Sequence, residues 1–438
     1  MKNRVNSGVT VLLFVLLTAA LTACGGGIIS QSLFFIKRVS VDSFGTQADS
    51  DSNNPSINSD GRYVAFRSFA GNLVAGDTNG QSDIFAHDRL TGATIRVSVN
   101  SSGVEAVSGS NNPSISPDGR YIAFQSGASN LVGGDTNGYD DIFVHDIQTG
   151  LTTRASVDTA GTQADGGSNN PSISQDGRYV AFWSFATNLV AGDTNGQFDV
   201  FVRDRVAGLT TRVSVDSAGT QADSFSTNPS ISSAGRYVAF QSSASNLVAG
   251  DANGFDDVFV RDTLAGVTTR VSVDSAGTQG NNVSNNPSIS ADGRYVAFRS
   301  SASNLVAGDA NGLDDIFVHD RDTSTTTLVS VDSAGTQADG GSNNPSISAD
   351  GRYIVFRSGA TNLVAGDTNG LDDIFVYDRD TSATTLVSIN SAAVPANDDS
   401  INPIISSDGR YVAFESGASN LVNGDTLGFD DIFLVLKK

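Results

Sequence analysis

The string Asn-Pro-Ser-Ile begins at Asn54, Asn112, Asn170, Asn228, Asn286 and Asn344, and returns as Asn-Pro-Ile-Ile at Asn402, every 58 residues without a slip. A constant period of this length means one supersecondary unit used repeatedly, which restricts the fold more than any other feature of the chain. Four β-like segments recur in each period; in the second they are Pro113–Ser116, Arg120–Ser126, Asp141–Asp146 and Thr152–Asp158. In the second segment Tyr121 and Ala123 face one way, Ile122 and Phe124 the other. Both sets are apolar enough to be covered, as in a sheet packed on two sides. Asp118-Gly119 marks a tight turn between the first two segments. The connections from second to third segment, and from fourth to the next first, are long. Abundant Gly, Ser, Asn, Asp and Thr beside a single Met fit a turn-rich all-β chain.

Short antiparallel strands in seven copies build either an open solenoid or a closed propeller. The last period runs only to its third segment, while Phe35–Asp42 reads as a fourth segment standing ahead of the first period. Seven periods counted back from Lys438 reach Leu33. The expectation is a seven-bladed β-propeller over residues 33–438, with four antiparallel strands per blade. Its N-terminal strand completes the last blade, which removes the exposed edge an open array would leave.

Ser116-Pro-Asp-Gly-Arg-Tyr-Ile-Ala-Phe-Gln-Ser126, followed by Asp141-Ile-Phe-Val-His-Asp146, resembles the blade signature of TolB-type, WD-repeat-like propellers in all seven periods. The resemblance implies the fold. It leaves function open, because such blades serve transport-linked scaffolds and peptidase gating domains alike. Neither the α/β domain of TolB nor the hydrolase domain of prolyl-oligopeptidase-like enzymes has a counterpart in this sequence. No G-x-S-x-G occurs either.

The N-terminus carries Lys2 and Arg4, an apolar run from Val9 to about Ala20, then Leu21-Thr22-Ala23-Cys24. This reads as a secretory signal, and its end resembles a bacterial lipoprotein box. Residues 1–23 are expected to be removed, Cys24 to be lipidated, and 24–32 to act as a flexible tether. A plain signal peptide cut near Ala23 is the alternative. Cys24 is the sole cysteine, so no internal disulfide forms. Gly25, in place of Asp, fits export to the outer membrane of a Gram-negative envelope. Loss of Lys2 and Arg4 takes the formal charge from −21 to −23. A surface so acidic repels nucleic acid and attracts cations or basic partners.

The long loop before the third segment starts with Asp in every blade, from Asp77 and Asp135 to Asp425, and closes with Asp from Asp83 and Asp141 to Asp431. An Asn stands between in six blades, and Leu427 breaks the series. Hard cations need six to eight oxygens, of which such a loop offers four or five. It resembles the calcium loop of integrin-type FG-GAP propellers, two residues shorter and without the middle Asp. It lacks the EF-hand's closing Glu. The full loops define a candidate Ca²⁺ set: Asp135, Asn137, Asp140 and Asp141; Asp251, Asn253, Asp256 and Asp257; Asp309, Asn311, Asp314 and Asp315; Asp367, Asn369, Asp372 and Asp373. The competing reading is a polar turn, with the leading Asp in an Asx-turn and the closing Asp accepting backbone N–H groups.

The repeated Asp-Gly-Arg-Tyr places Arg62, Arg120 and their counterparts beside Asp88, Asp146 and theirs at the end of the third segment. An Arg–carboxylate pair inside each blade, with Tyr packed between blades, is expected. Blade seven has Leu436 at that Asp position, so Arg410 needs another partner. His87, His145 and His319 share one repeat position where Arg203, Arg261 and Tyr377 stand elsewhere, and are expected to be partly exposed strand residues without a catalytic role. Trp183 is the only Trp and stands where Arg67 and Gln125 occur. Near-identical blades supply no asymmetric set of nucleophile and base. The functional expectation is therefore a monomeric, lipid-anchored, non-catalytic binding or scaffold module of the cell envelope. It would dock a protein, a glycan or cations on its Asp/Asn-rich loop face. The alternative is a calcium-dependent hydrolase or lyase using rim carboxylates.

Overall fold

The computed structural model describes residues 35–437; the expected signal, Cys24 and tether lie outside these residues. Twenty-eight strands, numbered β1 to β28 in chain order, form seven four-stranded antiparallel sheets. Six sheets take their strands consecutively, as in β2 (Ser52–Ile57), β3 (Tyr63–Ser68), β4 (Asp83–Asp88) and β5 (Thr94–Arg96). The seventh runs β1 (Phe35–Arg38), β28 (Asp431–Leu436), β27 (Tyr411–Ser416), β26 (Ser400–Ile405). Phe35 pairs with Leu436 and Arg38 with Phe433, so the N-terminal strand seals the last blade as the repeat count requires. The fold is a seven-bladed β-propeller.

Residues on both faces of the second strand are buried, because each face belongs to a different interblade core. Ile122 and Phe124 pack with Ala65 and Ile84 of the preceding blade, whereas Ala123 and Tyr121 pack with Val180 and Phe182 of the next. One Phe pair per blade, such as Phe124 and Phe143, stacks with centroids 5.8–6.0 Å apart. The core between blades seven and one joins Val64 and Phe66 to Ala413 and Leu434, and includes Val39 just after the closing strand.

Two strand limits differ from the sequence reading. The inner strand of blade two is Ser110–Ile115, beginning in the polar Ser-Asn-Asn run that reads as loop. A bulge between Asn111 and Ser114 lets that run join the ladder. The outer strand is only Leu151–Arg154, because Ser156 leaves the ladder to bond Asp141 and the Ile142 N–H.

The turn between inner and second strands places Gly177 at φ +69°, and a Cβ added there would lie 2.2 Å from the Tyr121 ring of the preceding blade. The expected Tyr packing between blades is thus present, and it makes this glycine necessary on two counts. Gly177→Ala is expected to cost about 2–4 kcal/mol, from left-handed strain plus overpacking. Denaturant midpoints measure this; a loss within about 0.5 kcal/mol, as for an ordinary surface change, would contradict the packing.

Candidate functional site

The two families of long loop lie on one face, held together by the loop Asn. Asn137 Oδ1 accepts the Tyr139 N–H at 3.1 Å, while its Nδ2 donates to Asp141 Oδ2 at 2.9 Å and to the Ala164 carbonyl at 3.0 Å in the connection to the next blade. The Asx-turn is thus built on the Asn, two residues after the Asp expected to form it. The closing Asp differs from expectation as well. Asp141 is fully buried and accepts Ser156 Oγ at 2.5 Å and Arg154 Nη1 at 3.1 Å, from the outer strand and its continuation. The sequence hides this arginine, because it lies 13 residues beyond the Asp it serves.

The candidate metal residues divide into two groups. In blades two, four, five and six the leading and closing Asp face the outer strand. The Asp just before the closing one turns toward the axis instead. Gln125 Nε2 donates to Asp140 at 2.7 Å; Ser243 donates to Asp256, Arg299 to Asp314 and Arg357 to Asp372. In blade two Arg154 Nη1 lies 3.2 Å from Asp135 and 3.1 Å from Asp141; in blade four Arg270 Nη1 lies 3.2 Å from Asp251 and 3.5 Å from Asp257. A guanidinium there supplies the positive charge that paired buried carboxylates need.

The axis carries a feature not anticipated from sequence. Asn54, Asn112, Asn170, Asn228, Asn286, Asn344 and Asn402 all adopt φ of 47–52° at the inner-strand bulge. Asn enters this left-handed region more readily than other side chains. The turn brings the carboxamides together around the channel, each Nδ2 donating to the next Oδ1 at 2.6–3.3 Å, and Asn402 donates to Asn54 to close the circle. A carboxamide both donates and accepts, so a ring of identical residues satisfies itself. Five of these Asn, from Asn402 round to Asn228, and Pro residues that follow ring Asn line an axial cavity of about 320 Å³.

Above the ring, toward the loops, blade sameness ends. The penultimate residue of the second strand is Arg67, Gln125, Trp183, Gln241, Arg299, Arg357 or Glu415. Three of these accept bonds directly from the ring: Gln125 from Asn112 at 3.1 Å, Gln241 from Asn228 at 3.0 Å and Glu415 from Asn402 at 2.9 Å. Blade three supplies an aromatic cluster in which Phe198 meets Trp183 edge-on at 4.8 Å and Phe185 at 5.3 Å, with both phenylalanines exposed. Blade one stacks Arg67 on Phe69 at 4.4 Å. Blade seven is acidic: burial pushes the Glu415 carboxyl up, and Asp430 and Asp51 push it further. Asn53 Oδ1, Arg67 Nε, Trp183 Nε1, Asn285 Oδ1, Arg299 Nε and Arg357 Nε are buried without hydrogen-bond partners among the described residues. Such atoms are uncommon in folded proteins; others lie at the outer loop bases, and these six gather near the channel mouth. The signal was a variable column of the repeat, visible at Trp183 but not recognisable as a ring.

The remaining sequence readings are resolved as follows. Arg178 Nε and Nη2 reach Asp204 at 3.0 and 2.7 Å, and these bonds hold the Asp204 carboxyl down to about 2. The same pair recurs in blades one to six; Arg410 makes no ion pair among the described residues. The histidines are buried, not partly exposed. His87, His145 and His319 each bond a Thr hydroxyl of the outer strand through Nδ1 at 2.9 Å, and burial pushes His87 and His319 down to about 4. Arg203 and Arg261 make the same Thr bond, which explains the interchange. The histidines lie at the strand end away from the loop face, far from the mouth.

The fold and this mouth define a ring propeller with a sevenfold scaffold and an asymmetric rim. No family model and no curated protein matches the chain. Among solved structures it is similar to an oligogalacturonate lyase in complex with manganese (TM-score 0.56, 13% identity, 92% of this chain and 96% of that one). It is also similar to the β-propeller domain of the Trilobed protease from Pyrococcus furiosus (TM-score 0.53, 11% identity, 88% and 95%), which has an open velcro topology unlike the sealed ring here. TolB from Acinetobacter baumannii matches more distantly, with a TM-score of 0.40 and 16% identity over 69% of this chain. The chain spans 58% of that TolB's length. At these identities the likeness concerns the fold alone.

Proposed function

We propose that this protein is a non-catalytic binding module of the cell envelope, held to the membrane through Cys24, that takes its ligand at the loop-face mouth of the axial channel. The observation that carries this reading is the variable collar above an invariant Asn ring: blade chemistry differs where a bound molecule would touch seven blades at once. Aromatic planes at Trp183, Phe185 and Phe198 face a polar arc of Arg, Gln and Glu, with buried donors and acceptors left unpaired. That mixture suits a glycan or an extended peptide segment, each offering stacking faces and hydrogen-bonding groups together. The acidic surface favours neutral or basic ligands over anionic ones. Trp183, the only Trp, provides the readout. Its fluorescence is expected to shift on titration with neutral oligosaccharides or basic peptides, and Phe198→Ala to weaken that binding about 10-fold, ~1.4 kcal/mol. Silence from both ligand classes, or unchanged affinity in the variant, contradicts the proposal.

A calcium-dependent hydrolase or lyase is the second reading, and one feature favours it. Glu415 is a buried carboxyl at the mouth, raised toward the range of a general acid and close to Asp430. Against it, Glu415 already accepts bonds from Asn402 Nδ2 and the Asn54 N–H. Turnover of a polysaccharide or peptide that Glu415→Gln abolishes would favour the enzyme.

A further inference from the structure

In six blades a side-chain nitrogen lies between the leading and closing Asp of the loop. Arg96, Arg154, Arg212, Arg270 and Arg38 place Nη1 within 3.1–3.6 Å of both carboxylates in blades one, two, three, four and seven. Blade five has Leu328 at the Arg position, and there Gln337 Nε2 bridges Asp309 at 2.7 Å and Asp315 at 2.9 Å. Blade six has lost both nitrogen sources: Leu386 stands at the Arg position and Pro395 at the Gln position. Pro395 keeps the backbone bridge to Ile389, and Leu386 packs into the apolar core. The fold is therefore unchanged while the positive or donor group is gone.

What remains is a pair of buried acids. Asp373 is fully buried, with Oδ1 accepting Ser388 Oγ at 2.5 Å and Oδ2 accepting Asn369 Nδ2 at 2.7 Å. Asp367 is 6% exposed, and its Oδ1 is buried with no partner among the described residues. The charged groups nearby make matters worse: Asp339 faces Asp367, and Asp372 and Asp399 face Asp373. Arg357 is engaged by Asp372 on the axial side. Two buried carboxylates without a counter-charge are costly unless a proton or a cation joins them.

We propose that blade six holds a hard divalent cation of the Ca²⁺ type, bound between Asp367 and Asp373 where the sister blades place a guanidinium or carboxamide nitrogen. Asp367 Oδ1 and Asp373 Oδ2 are the protein's anionic ligands, with water and loop carbonyls completing the oxygen shell. The site narrows the calcium reading of the repeated loop to one blade, and it does not rest on the ligand-binding reading of the channel mouth. With two carboxylates, affinity falls in the range of roughly 10⁻⁴–10⁻³ M. Burial, and then Asp373, push the Asp367 carboxyl up to about 6.

Calorimetric titration of the full chain with CaCl₂ near neutral pH, with thermal melts beside it, tests this. One equivalent is expected, with a rise in melting temperature that Asp367→Asn removes. The decisive variant is Leu386→Arg with Pro395→Gln, which copies blades two, three and four. It is expected to melt as high as the calcium-loaded parent and to lose calcium binding at least about 10-fold, because the nitrogens then fill the gap. Undiminished binding in that folded double variant overturns the proposal. So does no binding at about 10 mM calcium, ten times the weak end of the expected range. Absent binding with a melting point that climbs on acidification assigns the pair a shared proton instead.

Discussion

Removing Phe35–Val41 is expected to abolish the cooperative thermal transition of the folded chain. The segment is small, but three separate losses coincide. β28 keeps β27 but loses its outer partner, leaving a hydrophobic edge open to other chains. Val39, fully buried, leaves the core between blades seven and one. Arg38 leaves Asp425 and Asp431, which it contacts at 3.2 and 3.1 Å, and Ser40 leaves Asp431 with it, so that Gln47 remains as the neutral side-chain donor to the pair. Stranding a buried acid pair alone costs about 3–5 kcal/mol, against a total domain stability of about 5–15 kcal/mol. Differential scanning calorimetry measures the outcome. An unaltered melting curve would mean that the ring does not depend on its N-terminal strand.

Arg212→Leu combined with Gln221→Pro is expected to reproduce in blade three the charge imbalance of blade six, where Leu386 and Pro395 stand, and to destabilise the protein by about 3–5 kcal/mol at neutral pH. Arg212 Nη1 lies 3.1 Å from Asp193 and 3.4 Å from Asp199, and both acids sit within the loop base. Burial, followed by the neighbouring Asp199, already pushes Asp193 up to about 6, and burial pushes Asp199 up. Losing the guanidinium raises both further. The sign follows from linkage: a carboxyl whose folded pKa exceeds its unfolded value binds more protons in the folded state. Its penalty is fully present above the folded pKa and fades as pH falls toward the unfolded value near 3.9. The deficit of the variant is thus expected to shrink between about pH 7 and pH 5. Urea denaturation of both proteins at several pH values reads this directly. A deficit independent of pH would place the cost in packing, not in uncompensated charge.

The repeat itself carried most of the architecture. A 58-residue translation along the chain becomes one rotation about the propeller axis, so counting periods counted the blades, and the displaced fourth segment at Phe35 located the seam. The Arg178–Asp204 type of pair was readable too, because antiparallel pairing of adjacent strands brings the start of one beside the end of the next. These are consequences of order along the chain, which a sequence states outright.

Radial position is different, since no periodicity along the chain says how far a residue lies from the axis. The Asn ring links residues 58 apart across six blade boundaries and 348 apart across the seam, and its left-handed backbone arises at a bulge inside what reads as a polar loop. The collar of Arg67, Gln125, Trp183, Gln241, Arg299, Arg357 and Glu415 looks like drift at one strand position until the inner strands gather those side chains around a single mouth. The loop acids likewise declared their number but not their company. Whether Asp135 or Asp367 has a guanidinium beside it depends on an outer-strand residue, Arg154 or Leu386, that only the folded blade brings alongside. Order along the chain determined the wheel; convergence at its hub, and the charge balance at its rim, belong to the tertiary structure because they join side chains from separate strands and blades.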